Sequence, residues 1–246
     1  MRVKGALHIH SDLSHDGKMP LEDVASLLRA RGFHFMFVTE HAEDMDAAKI
    51  AALRERAAQL SDDSFLVIPG LEYSCPGLIH IVGAGCAEDL DFRDPLRVTD
   101  AIRAVGGFAV LAHPVRFKWR VDAELVRRVH AAEVWNVAYD GKFLPRPQAF
   151  EYLQRARLVN QELLACGGLD LHRRGGYYPV ALHLDVQALT REALLAELIA
   201  GRYTIHAPGI TLDSRREAGA LGLLKALRIP LDIYKSLRKQ LRAAKA

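Results

Sequence analysis

The sequence predicts an α/β fold built on a mainly parallel sheet. Three observations carry that prediction. Strand-like and helix-like segments alternate over roughly 205 residues with short connections. Helix start and stop signals fall between the apolar runs. Polar residues of metal-ligating type gather where those runs end. Such alternation builds either an open doubly wound sheet or a closed barrel. No Gly-x-Gly-x-x-Gly follows the first strand, so a dinucleotide-binding sheet has no support. A barrel carries its active site at the C-terminal strand ends, which is where the polar residues lie.

In chain order, a first strand is expected over residues 3–10, ending in His8-Ile9-His10. Side chains alternate along an extended chain, so the two imidazoles are expected on one side. Pro20, with Glu22 and Asp23 behind it, opens a helix that closes on Arg29, Arg31 and Gly32. Strands follow at 33–41, 65–73 and 79–83. Asp94-Pro95 opens a second helix running to Gly106-Gly107, followed by strands at 108–113, 132–136 and 163–169. Trp135, inside one of these runs, is expected in the core. Thr190 with Glu192 opens a third helix that ends at Gly201, before a last strand at 203–206.

Half of the 246 residues are hydrophobic, enough for a substantial core, and 26% are charged, as in ordinary globular proteins. The net charge of +3 points to no particular partner. Its distribution is uneven: residues 209–246 hold nine Lys/Arg and three Asp/Glu, a charge of +6, which leaves −3 for residues 1–208. This tail reads as one or two basic amphipathic helices broken at Pro230, either packed on the body or in contact with nucleic acid, an anionic membrane surface or another subunit. The expected division is therefore a barrel over 1–208 and a helical tail over 209–246. Cys75, Cys86 and Cys166 form no Cys-x-x-Cys pair, which suits free thiols in a reducing compartment. Met1-Arg2-Val3-Lys4 runs straight into a strand without a signal-peptide core, and no run approaches the roughly 20 apolar residues of a membrane span. A cytoplasmic location is expected; no feature sets an oligomeric state.

The strand ends collect His8 and His10 with Asp16 in the next loop, Glu40-His41, Glu72, His80, His113, and Asp170 with His172. Each alone could be a hydrogen-bonded structural residue. Together at one rim, imidazoles and carboxylates would be costly without a cation to neutralise and coordinate them. Nitrogen and carboxylate donors without thiolate suit Zn, Mn or Fe. Arg116, just after His113-Pro114, is the best-placed cation for an anionic substrate group, ahead of Lys118 and Arg120. Asn136 and Tyr139 are expected to line the pocket, His206 to offer a proton at the same rim, and Arg173 and Arg174 to face either such a group or water.

The ordered motifs resemble those of the PHP (polymerase and histidinol phosphatase) superfamily: His8 through Asp16-Gly17, Thr39-Glu40-His41, Gly70-Leu71-Glu72 with Ile79-His80, Ala112-His113-Pro114, and Leu169-Asp170-Leu171-His172. The resemblance covers residues 5–172 and implies a distorted (β/α)7 TIM-like barrel that binds two or three divalent ions and cleaves phosphate esters with a metal-bridging hydroxide. Carried over, it implies one ion on His8, His10, Glu72 and Asp170, a second on Glu72, His80 and His113, and a third on Asp16, His41 and His172. His15 competes with Asp16 for the last. Glu72, Asp170 and Arg116 would carry the catalysis. The expected activity is a phosphomonoesterase acting on a small phosphorylated metabolite. A nucleotide or oligonucleotide phosphoesterase of the 5′-exonuclease type, or a non-catalytic metal-stabilised interaction module, are the alternatives.

Overall fold

The computed structural model describes residues 1–215, 225–228 and 230. Strands β1 (Arg2–Ala6), β2 (Phe35–His41) and β3 (Leu66–Cys75) pair in parallel. β4 (Ile79–Ala84) runs antiparallel to both β3 and β5 (Phe108–Leu111). Parallel pairing resumes through β6 (Ala131–Asn136) and β7 (Leu164–Gly168). β8 (Ala181–Asp185), β9 (Tyr203–Ala207) and β10 (Ile210–Asp213) follow as antiparallel neighbours, β8 pairing with β1. All ten strands form one sheet in the order β10-β9-β8-β1-β2-β3-β4-β5-β6-β7.

The sheet curls almost closed. Beyond the ends of β1 and β7, Leu169 N donates to Leu7 O (2.9 Å), Leu171 N to His8 O (3.3 Å) and His10 N to Leu171 O (3.0 Å). At the opposite end Tyr203 Oη donates to Ala165 O at 2.7 Å and Ala165 N to Ser214 O at 2.7 Å. The barrel expected from the strand–helix rhythm is present, with two differences. β3 returns as β4 through a tight turn in which Gly77 has φ 78° and Leu78 φ 65°, and β8–β10 form an antiparallel meander, so the seven-unit repeat is not reproduced. β10 also falls within the segment expected to be helical, where pairing with β9 decides its conformation. Residues 225–228 are helical; the remainder of the expected tail helices, 216–224, 229 and 231–246, lies outside the described residues.

The helix signals hold where the sequence placed them. α1 (Leu21–Arg29) starts at Pro20 and buries Leu21, Val24, Ala25, Leu27 and Leu28, the stripe of a helix laid on a sheet. Between β2 and β3 comes α2 (Ala47–Gln59). α3 (Pro95–Ala104) is capped by Asp94, whose carboxylate accepts from Leu96 N. After it come α4 (Ala123–Arg128), the short α5 (Val137–Asp140) and α6 (Pro147–Arg157). α7 (Arg191–Ile199) is capped by Thr190, which accepts from Ala193 N. All seven residues of β2 are buried, as expected of a strand covered on both faces. Trp135 is fully buried, and its Nε1 donates to Gly141 O at 3.0 Å. No helix of the described residues is long and apolar enough to cross a membrane.

Candidate metal centre

Glu72, on β3 and 1% exposed, sits at the middle of the histidine cluster. Its two oxygens face different sets. Oε2 lies 3.4 Å from His8 Nε2, 3.4 Å from His10 Nε2 and 3.1 Å from His41 Nδ1. Oε1 lies 2.7 Å from His80 Nδ1 and 2.9 Å from His113 Nε2. Asp170 Oδ1 stands 3.6 Å from both His8 Nε2 and His10 Nε2 and 3.4 Å from His172 Nδ1. Asp16 reaches His41 Nε2 with one oxygen (3.4 Å) and His172 Nε2 with the other (3.1 Å). All nine residues singled out as ligands therefore meet at one end of the barrel.

The path of the backbone differs from the expectation. β1 ends at Ala6, and His8 has φ 64°, so His8 and His10 do not share a face by strand alternation. The pairing of residues 7–10 with 169–171 turns the chain inward and brings the two rings to 5.2 Å. His113 (φ 28°) and Asp170 (φ 48°) are likewise non-glycine residues at positive φ. Backbone strain of this kind survives only where the surroundings enforce it, and here three cluster residues share it.

The electrostatics require a partner. His8 Nε2, His10 Nε2, Asp16 Oδ1, His41 Nδ1, His113 Nδ1 and His172 Nε2 are buried without a well-formed hydrogen bond, though His41 Nδ1 and His172 Nε2 stand 3.1 Å from carboxylate oxygens; polar atoms left short of partners in a buried site cost free energy. Burial opposes charge on His8, but Glu133, Asp170 and Glu72 outweigh it and hold its pKa well above the usual range. Burial, helped by the neighbouring His8, His41 and His172, drives His10 well below despite Glu72. Burial also resists a charged His41, yet Glu72 and Asp16 raise it to about 9. Glu72 stays well below the usual carboxylate range despite its burial, because His8, His113 and His41 surround it. Orphaned imidazole nitrogens and carboxylate oxygens within 4.8 Å of one another are a donor set that fits divalent cations.

A layer of residues outside the nine expected ligands orients these groups. Glu133, 2% exposed, contacts His8 Nδ1 through Oε1 at 2.8 Å. Its Oε2 accepts from His113 N (2.7 Å) and Asn136 Nδ2 (2.8 Å). Glu40 accepts from Ser11 N, Ser11 Oγ and Ser14 Oγ, while Ser14 Oγ accepts from His41 N at 3.0 Å and lies 3.3 Å from His10 Nδ1. The signal for Glu133 was available: a carboxylate amid Ala131, Ala132, Val134 and Trp135 is buried and must have partners.

Glu72 and His113 open onto a cavity of about 660 Å³ that Arg116 and Tyr139 also line. Arg116 Nη1 donates to Tyr139 Oη at 3.4 Å, and the Tyr139 ring lies 4.6 Å from that of His113. Asn136 is not on this wall: it is buried, and its Nδ2 donates to Glu133 and to Asp170 Oδ2 (3.1 Å), which makes it a brace for Asp170. His206 is not there either. Its ring stacks on His183 at 4.0 Å and contacts Thr204 and Thr211, because β9 joins the sheet beside β8. Lys118 and Arg120 do not line the cavity. His15 is exposed and tied to Asp44 at 2.8 Å, though its ring remains beside Asp16 and His41.

No family profile matches the sequence, and no curated protein does. The fold has counterparts among solved structures. A two-domain protein from Bacteroides vulgatus, described as containing a predicted PHP-like metal-dependent phosphoesterase, superposes with TM-score 0.61 at 19% identity over 84% of this chain and 65% of that one. The chain has the PHP-type barrel fold. PsfC from Pseudomonas syringae superposes at TM-score 0.60 and 18% identity, over 96% of this chain and 99% of its own. A lesion-specific endonuclease from Pyrococcus furiosus does so at TM-score 0.59 and 13% identity, over 83% and 58%. This chain thus spans under two thirds of the Bacteroides and Pyrococcus chains and nearly all of PsfC.

Proposed function

We propose that the protein is a metal-dependent phosphoesterase that hydrolyses phosphomonoesters of a small metabolite. The observation that carries this reading is Glu72, whose two oxygens address two separate histidine sets in a site full of unpartnered imidazole nitrogens. His8, His10, Glu72 and Asp170 are assigned to one ion, Glu72, His80 and His113 to a second, and Asp16, His41 and His172 to a third, with Zn, Mn or Fe suited to the donors. When bound, such ions supply Lewis acidity toward phosphate and lower the pKa of a water molecule.

The remaining chemistry belongs to the chain. Glu133 and Asn136 fix His8 and Asp170, so the donors hold their positions while the ester is cleaved. Arg116 offers its guanidinium to the non-bridging phosphate oxygens that gain charge as water adds to phosphorus. Burial raises the pKa of Tyr139, so its hydroxyl stays protonated and can donate to the departing ester oxygen as the P–O bond breaks.

A nucleotide or oligonucleotide substrate is the second reading, favoured by the fold shared with the Pyrococcus endonuclease. The −3 charge of residues 1–208 offers no long track for a polyanion and favours the small metabolite. Chelation is expected to abolish turnover of p-nitrophenyl phosphate and Mn, Zn or Fe to restore it; a protein that turns over no phosphoester with any ion is the metal-stabilised module instead. Glu72→Gln should reduce activity by more than roughly 100-fold, because the group between the two histidine sets loses its negative charge and one of its two oxygens, while Asp16→Ala should cost roughly tenfold. Equal losses would overturn the bridging assignment.

A further inference from the structure

The space around the candidate centre does not end at the cavity containing Glu72. A second lobe of about 400 Å³ shares Asp16, Ala138, Asp170 and His172 with it and continues between Lys18, Lys142 and Arg173. Glu72, His80 and His113 line only the first lobe. The three cations come from three different loops, those following β1, β6 and β7, so the fold converges positive charge here from separate parts of the chain.

That charge is uncompensated. Among the described residues, none of the three cations pairs with a carboxylate. Lys142 Nζ donates to two carbonyls, Gly175 O (2.8 Å) and Tyr177 O (3.2 Å), which hold it in place without neutralising it. The same bonds tie the 141–146 loop to the 174–177 loop and bound the lobe. Asp16 and Asp170, the acids on the shared wall, face the histidines. Like charges around one cavity raise its potential and draw in an anion.

We infer that this lobe binds a second anionic group of the substrate, so the substrate is a small phosphoester that also carries another phosphate or a carboxylate. The inference rests on the phosphoesterase reading. One phosphate sits at the ion ligands beside Arg116, and the second anion reaches past Asp16 and His172 to Lys18, Lys142 and Arg173. The size and boundary of the lobe suit a compact metabolite better than a polymer that must run through it. Because Lys18 and Arg173 are exposed, the preference should shrink as salt rises.

The test compares kcat/KM for two matched pairs, hexose bisphosphate against hexose monophosphate and phosphoglycerate against glycerol phosphate, with p-nitrophenyl phosphate as reference. Wild type, Lys18→Gln and Arg173→Gln are measured at low salt; both positions are exposed, and thermal melts check that folding is retained. At least one pair should favour the doubly anionic member by about tenfold, with the ratio falling several-fold in each variant. The pair that responds distinguishes a phosphate from a carboxylate. Turnover of p-nitrophenyl phosphate with no preference in either pair, or a preference that survives both substitutions, overturns the subsite and leaves the phosphoesterase reading standing. Absence of metal-dependent turnover on every compound overturns that reading and the subsite with it. Faster cleavage of a short single-stranded oligonucleotide than of either dianion overturns the small-metabolite class.

Discussion

Glu133 shows how one residue can govern a site without touching what the site binds. It contacts His8 Nδ1 and holds the backbone of His113, thereby aiming one imidazole from each side of Glu72. Replacement by Gln preserves the size but removes the charge that keeps the His8 ring oriented. Glu133→Gln is expected to weaken metal binding roughly 10–100-fold, as supporting carboxylates behind metal-bound histidines typically do, measured by competition with a chromogenic chelator. Unchanged affinity would mean that the His8 ring is held by packing alone. The nine ligand-type residues were legible because each motif places charge or imidazole at the end of an apolar run. Glu133 and Glu40 were harder to find, since a single carboxylate inside a strand acquires meaning only from what lies across the barrel. Asn136 and His206 were misplaced for a related reason: strand-end position in sequence does not say which way a side chain points.

At the level of elements, the segment over 137–147 carries Tyr139 into the cavity and Lys142 into the second lobe, and it is anchored from two directions. Arg146 Nε donates to Asp140 Oδ1 at 2.9 Å, and Asp140 Oδ2 accepts from Asn136 N at 2.8 Å. From the C-terminal part of the chain, Arg228, 4% exposed, donates to Asp140 O at 2.9 Å and to the carbonyls of Leu144 and Pro145. At this one position the basic C-terminal segment is a strut against the barrel. Arg228→Ala is expected to raise KM for a phosphoester several-fold with a smaller change in kcat, because three buried carbonyls lose their donor and the loop loosens; Arg228→Lys should recover part of the effect. An unchanged KM would show that Arg146 and Lys142 hold the loop without Arg228. The helices were readable from their caps, because a cap is a local hydrogen bond between residues two or three apart. β8 and β10 were missed because their antiparallel partners, β1 and β9, define them.

For the molecule as a whole, proton and metal compete for the same nitrogens. His41, raised to about 9 by Glu72 and Asp16, is protonated in the metal-free protein at neutral pH. Its ion pairs stabilise that form fully below the unfolded histidine value of 6.5 and are lost as pH rises through about 9. His8 adds in the same direction, whereas His130 and His183, both lowered to about 4, act only below 6.5. Chelator-treated protein should therefore melt at a lower temperature at pH 9 than at pH 6.5. A metal held by His41, as proposed, would have to displace its proton, so its affinity should grow with pH across the same interval. At a thousandfold excess over Kd, metal adds about 4 kcal/mol, or roughly 8–16 °C in Tm. A metal-free Tm that climbs over this interval would show that the histidines are neutral there. By itself the sequence determined the chemistry: strand rhythm, helix caps and the order of His, Asp and Glu motifs are local properties that short-range sterics and hydrogen bonding impose on consecutive residues. The tertiary structure alone decided that Glu72 faces two histidine sets, that Glu133 and Asn136 brace them, and that three loops bring their cations to a second lobe. Those relations join residues distant in the chain, His8 and Glu133 standing 125 positions apart, and only closure of the sheet brings them within reach of one another.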